Sequence, residues 1–358
     1  MIKRHLPFAT VAVIALVAAP LLLEPFRLGL LAKYLCYAIV ALGIGLAWGK
    51  GGMLTLGQGV FFGLGGYSMA MYLKLTEAEG GLPDFMVWSG VEELPALWVP
   101  FANPVFALSM AVLGPVILAV VLGTLVFRQR VRGAYFAILT QALAAAMVIL
   151  LVGQQGLTGG TNGMTNFFEL FGQDLAEDST QRGLYLVVAG VLGVLYLATR
   201  QLVNSRYGRL LVAVRDGEDR VRFLGYDPAL VKTVTFAASA GMAGLAGALF
   251  VPVVGIISPA LLGVVPSLEL VVAVAVGGRH VLAGAVLGAV VIGVRQDRVQ
   301  RAVRRRLALP AGRPVHPGHD PGLQGHRRGR ANRGGEAAQC SSYVTCRWCS
   351  TGSARSTA

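Results

Sequence analysis

The chain of 358 residues is 55% hydrophobic and only 14% charged, with a formal net charge of +13 and a mean hydropathy of +0.64. Soluble domains carry about 25% charged residues, so a soluble enzyme, a disordered protein and a disulfide-stapled secreted domain are excluded and a polytopic membrane protein is indicated. The charge is uneven: residues 1–294 hold 18 Lys+Arg against 15 Asp+Glu, whereas 295–358 hold 13 Arg, no Lys and 3 acids.

A membrane-crossing helix needs roughly 20 mostly apolar residues. Eight stretches qualify in chain order: 7–23, 28–48, 53–73, 104–127, 133–152, 184–200, 232–256 and 267–294. The first follows Lys3, Arg4 and His5. Pro20 stands where a signal-peptide cleavage site would open, so a retained helix is expected. The last is interrupted by Gly277, Gly278, Arg279 and His280 and reads as two short segments. None alternates with a period of two, so the predicted fold class is an all-α polytopic transmembrane helical bundle. With the N-terminus in the cytoplasm and seven single crossings, 13 Lys/Arg fall on the cytoplasmic side and three, Arg27, Lys74 and Arg182, outside. The positive-inside rule is met.

Small residues recur at helix-packing spacing: Gly59/Gly63, Gly284/Gly288, and Ala237/Gly241, Ala240/Gly244 and Ala243/Gly247 on one helix. They let backbones approach closely in lipid. No P-loop, Rossmann fingerprint, nucleophile elbow or paired-His zinc motif occurs. No catalytic residue, metal site or cofactor is therefore assigned. Apart from Arg279 and His280 at the break, the ionisable residues inside spans, Lys33 and Glu269, lie near span ends and read chiefly as snorkelling groups.

The Gly-rich stretch 156–163 combines Gly159 and Gly160 with Thr158, Thr161 and Asn162. It suits close backbone approach to a small polar solute, and equally an ordinary turn. In 201–231, Tyr207, Leu210, Leu211 and Val214 fall at i, i+3, i+4, i+7, with Arg206, Arg209, Arg215, Arg220 and Arg222 around them. Such a basic amphipathic helix lies on a membrane surface or docks into a partner.

After Val294 the sequence turns to Arg, Pro, Gly and His, and 295–358 is expected to be a basic disordered tail beside a permease domain of 1–294. One reading is a tail meeting anionic lipid or nucleic acid. The other is GC-rich coding sequence read out of frame, which the absence of Lys favours and which implies a frame change near residue 294 with the final spans lost. Cys346 and Cys349 have the spacing of a zinc half-site, but no metal is assigned in such a tail.

The stretch 205–226 (SRYGRLLVAVRDGEDRVRFLGY) resembles the cytoplasmic loop of branched-chain amino-acid-type ABC importer permeases. The stretches 232–249 (KTVTFAASAGMAGLAGAL), 54–67 (LTLGQGVFFGLGGY) and 132–140 (RGAYFAILT) resemble the same family in the same order. Within it, 82–88 (LPDFMVW) and 93–95 (ELP) resemble the second permease subunit of the urea importer. The resemblance covers about residues 8–294 and implies an ATP-driven importer of the bacterial inner membrane. Its implied partners are a homologous permease subunit in a heterodimer, two cytoplasmic ATPase subunits and a periplasmic binding protein, in membrane lipid and without nucleic acid. ATPase coupling is expected at Arg206, Tyr207, Gly208, Arg209, Leu210, Leu211, Val214, Arg215, Asp216, Arg222 and Gly225, with the apolar stripe buried in an ATPase groove and Arg215 or Arg222 pairing with acids at its rim. The solute pathway is expected to include Gln58, Tyr67, Tyr135 and Thr140, with Thr158, Gly159, Gly160, Thr161 and Asn162 at its outer mouth. The expected substrate is urea or a related small amide. The alternatives are a branched-chain amino-acid permease and a self-contained channel for small polar solutes.

Overall fold

The computed structural model describes residues 24–308 apart from 79, 80, 132 and 176. The chain divides into two compact units, 1–306 and 307–358; the fold below is that of the first. The expected span at 7–23 and the expectations for 309–358, Cys346 and Cys349 included, lie outside the described residues.

Twelve α-helices follow one another among the described residues: α1 Pro25–Ile44, α2 Gln58–Glu77, α3 Asp84–Trp88, α4 Pro104–Arg128, α5 Ala134–Gly153, α6 Gln155–Thr158, α7 Asp178–Asn204, α8 Arg206–Asp216, α9 Glu218–Phe223, α10 Pro228–Val254, α11 Val264–Gly277 and α12 Leu282–Ala308. Proline opens α1, α4 and α10, where its fixed φ suits the first turn and its missing N–H costs nothing. Asn103 and Asp227 cap α4 and α10, accepting from Val105 N and Ala229 N at 2.9 Å each. Two short antiparallel pairs lie in the loops: β1 (Met164–Thr165) with β4 (Ile256–Ile257), and β2 (Glu169–Leu170) with β3 (Gln173–Asp174).

Helices α1, α2 and α10 form the core, and α10 packs against α1, α2 and α4. The small residues make this possible. A Cβ on Gly65 would meet the Gly244 carbonyl oxygen at 2.0 Å, and one on Gly247 would meet that of Phe62 at 1.8 Å. Helices α4, α5 and α7 form the shell and expose Leu113, Ile117, Leu125, Ile138, Ile149, Val194 and Leu197. Lipid solvates such faces, whereas water would drive them together. Five helical stretches among the described residues are long and apolar enough to cross a membrane: Pro25–Lys50, Pro104–Arg128, Ala134–Gly153, Asp178–Asn204 and Pro228–Val254. Of the other expected spans, α2 is less apolar and almost wholly covered by neighbours, and α11 is 14 residues long, about 21 Å of helix.

Two expectations are corrected. The stretch read as one span from 53 is non-helical up to the start of α2 at Gln58. The helical pattern expected to stop at Val294 continues in α12 to Ala308. Residues 295–308 contain no Gly or Pro and include six Arg, two Gln and two Ala, all good helix formers.

Candidate functional site

The chain break before α2 is the first notable place. Helix α1 ends in a π-helical turn, Gly45–Lys50, and Gly51 to Gly57 then run without helix into the bundle. Helix α2 therefore starts inside the apolar layer, where its first N–H groups need partners. Hydroxyls from three other helices supply acceptors around this start. Thr140 Oγ1 on α5 accepts from Leu56 N at 3.0 Å. Ser267 Oγ on α11 accepts from Gly59 N at 3.1 Å. Ser239 Oγ on α10 accepts from Gln58 Nε2 at 3.0 Å. Ser239 stands 11 residues into α10, about 16 Å along its axis. Thr55, Gln58, Ser239 and Ser267 are fully buried, yet Thr55 Oγ1 and Gln58 Oε1 have no hydrogen-bond partner among the described residues. Buried polar atoms are rarely left so.

Of the expected pathway residues, Gln58 and Thr140 meet here. Tyr67 is buried nine residues further along α2, its hydroxyl without a partner among the described residues. Tyr135 is 76% exposed at the start of α5 and is not brought to them. The Gly-rich turn lies at the other end of α5. Thr158 is buried, but its hydroxyl is spent on the Leu151 and Gln154 carbonyls at 2.6 and 2.9 Å, closing the end of α5. Gly159 and Gly160 have positive φ, and Thr161 and Asn162 are exposed. The 3₁₀ turn Pro259–Leu262 joins both places: it packs on α2, where Leu262 fills the groove at Gly59 and Gly63, and on the 3₁₀ turn Gly160–Asn162. Sequence reasoning passed over Lys74 as a helix-end charge. It is 4% exposed, pairs with Glu77 at 2.8 Å, donates to the Asn166 carbonyl at 2.9 Å and lies over the Phe167 ring. It pins the loop after the Gly-rich turn to α2.

The second place is the basic end of the bundle, where α8 and α9 lie. Ser205 caps α8, and the apolar stripe does face one side. Leu211 and Val214 are 0% and 2% exposed, with Tyr207 and Leu210 packed beside them, all within the subunit's own core. The expectation that Leu211 and Val214 bury in a partner's groove is thereby corrected: they pack within the bundle, against the Gly45–Lys50 turn and α10, while Tyr207 and Leu210 are half-buried. The Tyr207 hydroxyl lies 2.8 Å from both the Val231 carbonyl and Thr235 Oγ1. Burial raises its pKa above the usual tyrosine value, which the Thr235 hydrogen bond opposes. The arginines expected at a partner's rim are also engaged. Arg215 donates to the Gly49 carbonyl at 3.0 Å and to Asp216 at 2.9 Å. Arg222 pairs with Asp219 at 3.4 Å and Glu218 at 3.7 Å. Gly208 and Gly225 are structural: a Cβ on Gly208 would strike the Val203 carbonyl, and Gly225 has φ +85°. Arg206 and Arg209 remain exposed.

What α8–α9 offers outward is different. Phe223, Leu224 and Tyr226 are 90%, 75% and 55% exposed, and Leu230 follows on α10. Beside this patch is a cleft of about 420 Å³ lined by Gly51, Gly52, Arg215, Asp216, Glu218, Asp219, Arg220 and Lys232. Lys232 and Glu218, 2.6 Å apart, tie α9 to α10 at its floor. Nothing in the helical periodicity marks the patch, because it sits at the end of α9 and in the turn beyond.

Residues 26–308 match the family described as the permease component of the branched-chain amino acid transport system. The high-affinity branched-chain amino acid transport system permease protein LivM of Salmonella typhimurium is 27% identical over 83% of this chain and 68% of its own length. The Escherichia coli protein of the same name is 26% identical over the same shares. A probable branched-chain amino acid transport permease protein LivM of Methanocaldococcus jannaschii is 24% identical over 76% of this chain and 82% of its own length. No solved structure matches the chain. On the extent of that match, across every helix from α1 to α12, the chain belongs to the family of branched-chain amino acid transport permease components.

Proposed function

We propose that the chain is a permease subunit of an ATP-driven importer for branched-chain amino acids in a bacterial inner membrane. Its N-terminus and basic face are cytoplasmic. A second permease subunit completes the pathway, a periplasmic binding protein delivers solute to the opposite face, and two ATPase subunits dock below. The relatives' names favour branched-chain amino acids over the urea expected from residues 82–95. That loop forms α3, with Trp88 84% exposed. It sits away from the polar break, so its form bears on what docks outside more than on what crosses.

The observation that carries the reading is the exposed patch Phe223, Leu224 and Tyr226, set on a helix pair anchored to the bundle by Leu211, Val214, Tyr207 and the Lys232–Glu218 pair. A rigid lever with an apolar tip suits transmission of ATPase closure to the π-helical turn and the start of α2. Binding energy at such surfaces concentrates in a few large side chains. Phe223→Asp with Leu224→Asp should leave the subunit folded and inserted while binding-protein-stimulated ATP hydrolysis falls about tenfold or more. Full stimulation in this double variant would remove the reading.

A further inference from the structure

We propose that Glu269 is the pathway carboxylate that takes the ammonium group of a transported amino acid. The inference rests on the reading of the chain as an amino-acid permease and names a binding group for it.

Glu269 lies on α11, the half-length helix that starts inside the bundle. Its exposed neighbours at helical spacing are Val265, Leu268, Val272 and Val276, while Ser267, Leu270, Val271 and Val274 face inward. The carboxylate is thus a single charge in the middle of an exposed apolar stripe. A charge facing acyl chains is costly. Such groups face a cavity or a protein partner by default.

A cavity is present. Glu269 lines a small cleft of about 50 Å³ with Tyr37, Gly59, Phe62, Leu270 and Gln296. Gly59 is the residue held by Ser267 at the polar break, so the cleft reaches the start of α2. Gln296 Nε2 donates to Glu269 Oε1 at 3.0 Å. This fixes the carboxylate at the mouth without neutralising it. The cleft is large enough for an ammonium group and too small for a whole amino acid. The aliphatic side chain would then rest on the apolar stripe of α11, under the second permease subunit. A carboxylate between apolar surfaces selects a cation with an aliphatic body. Urea, being neutral, gains nothing from it.

The test uses the assembled importer in proteoliposomes with binding protein and internal ATP. Leucine uptake and binding-protein-stimulated ATPase activity are measured for the wild type, Glu269→Gln and Glu269→Asp. The expected result is that Glu269→Gln loses leucine uptake about tenfold or more, with assembly and ATPase stimulation retained, and that Glu269→Asp recovers most of the uptake. Uptake by Glu269→Gln close to wild type overturns the inference and leaves the permease reading intact. Equal loss in both variants together with loss of ATPase stimulation assigns Glu269 a structural role and also overturns it. Absence of leucine uptake by the wild type overturns the permease reading, and this inference with it.

Discussion

Ser239 is where the polar break is most exposed to substitution. Among the described residues its hydroxyl is the partner of the Gln58 amide nitrogen, and Gln58 Oε1 has none. Ser239→Ala leaves the whole amide unpaired in the core, at a cost of about 1–3 kcal/mol. Thermal unfolding in detergent should show a lower midpoint; an unchanged midpoint would mean that Gln58 finds another partner. Leu211 gives the contrasting case. It is fully buried in the subunit's own core, so Leu211→Asp should abolish accumulation of folded subunit in membranes instead of uncoupling it selectively. Normal accumulation with lost coupling would return the stripe to a partner's groove. Tyr207 carries a pH dependence of known sign. Its folded-state pKa is raised by burial, so the neutral phenol stabilises the docked α8 fully below pH about 10 and less as pH rises beyond it. Tyr207→Phe should remove that alkaline loss, as read by protease sensitivity of the 205–226 segment.

At the scale of elements, α10 is the helix about which the others are arranged, and its glycines set the spacing. Gly247→Val would drive a side chain into the Phe62 carbonyl region of α2. Overpacking of this kind costs about 1–3 kcal/mol, and reduced yield of folded subunit should follow; unaltered yield would show that α2 moves aside freely. Helix identity and order were largely legible in the sequence, since long apolar runs such as 104–127 and 232–256 differ little from α4 and α10. The break at 51–57 was not. Its residues are as apolar as a span, and what holds the stretch and the start of α2 comes from Thr140 and Ser267 on the backbone and Ser239 on the Gln58 side chain, far away in sequence. The amphipathic stripe of α8 was legible as a stripe, but periodicity does not tell which body covers it. Here the bundle itself covers Leu211 and Val214, and the exposed apolar surface is the non-periodic Phe223–Leu224–Tyr226 tip. The run of arginines after Val294 hid a continuing helix because charge ends a span without ending a helix.

On the scale of the whole molecule, a core of α1, α2 and α10 connects two functional ends. The lever of α8–α9 touches the Gly45–Lys50 turn through Arg215, the chain from that turn leads to the start of α2, and α2 meets the Pro259–Leu262 turn beneath the opposite loops. On the proposed function, motion of the lever would reach the polar break through the seven non-helical residues 51–57, between two states of the bundle. The central claim is that this bundle carries branched-chain amino acids under ATP control. Its most direct test is parallel uptake of leucine and urea by proteoliposomes holding the complete importer, with and without internal ATP. The account predicts leucine accumulation that requires both ATP and binding protein, with urea left behind. Urea accumulation without leucine, or leucine entry that proceeds equally without ATP, would contradict it.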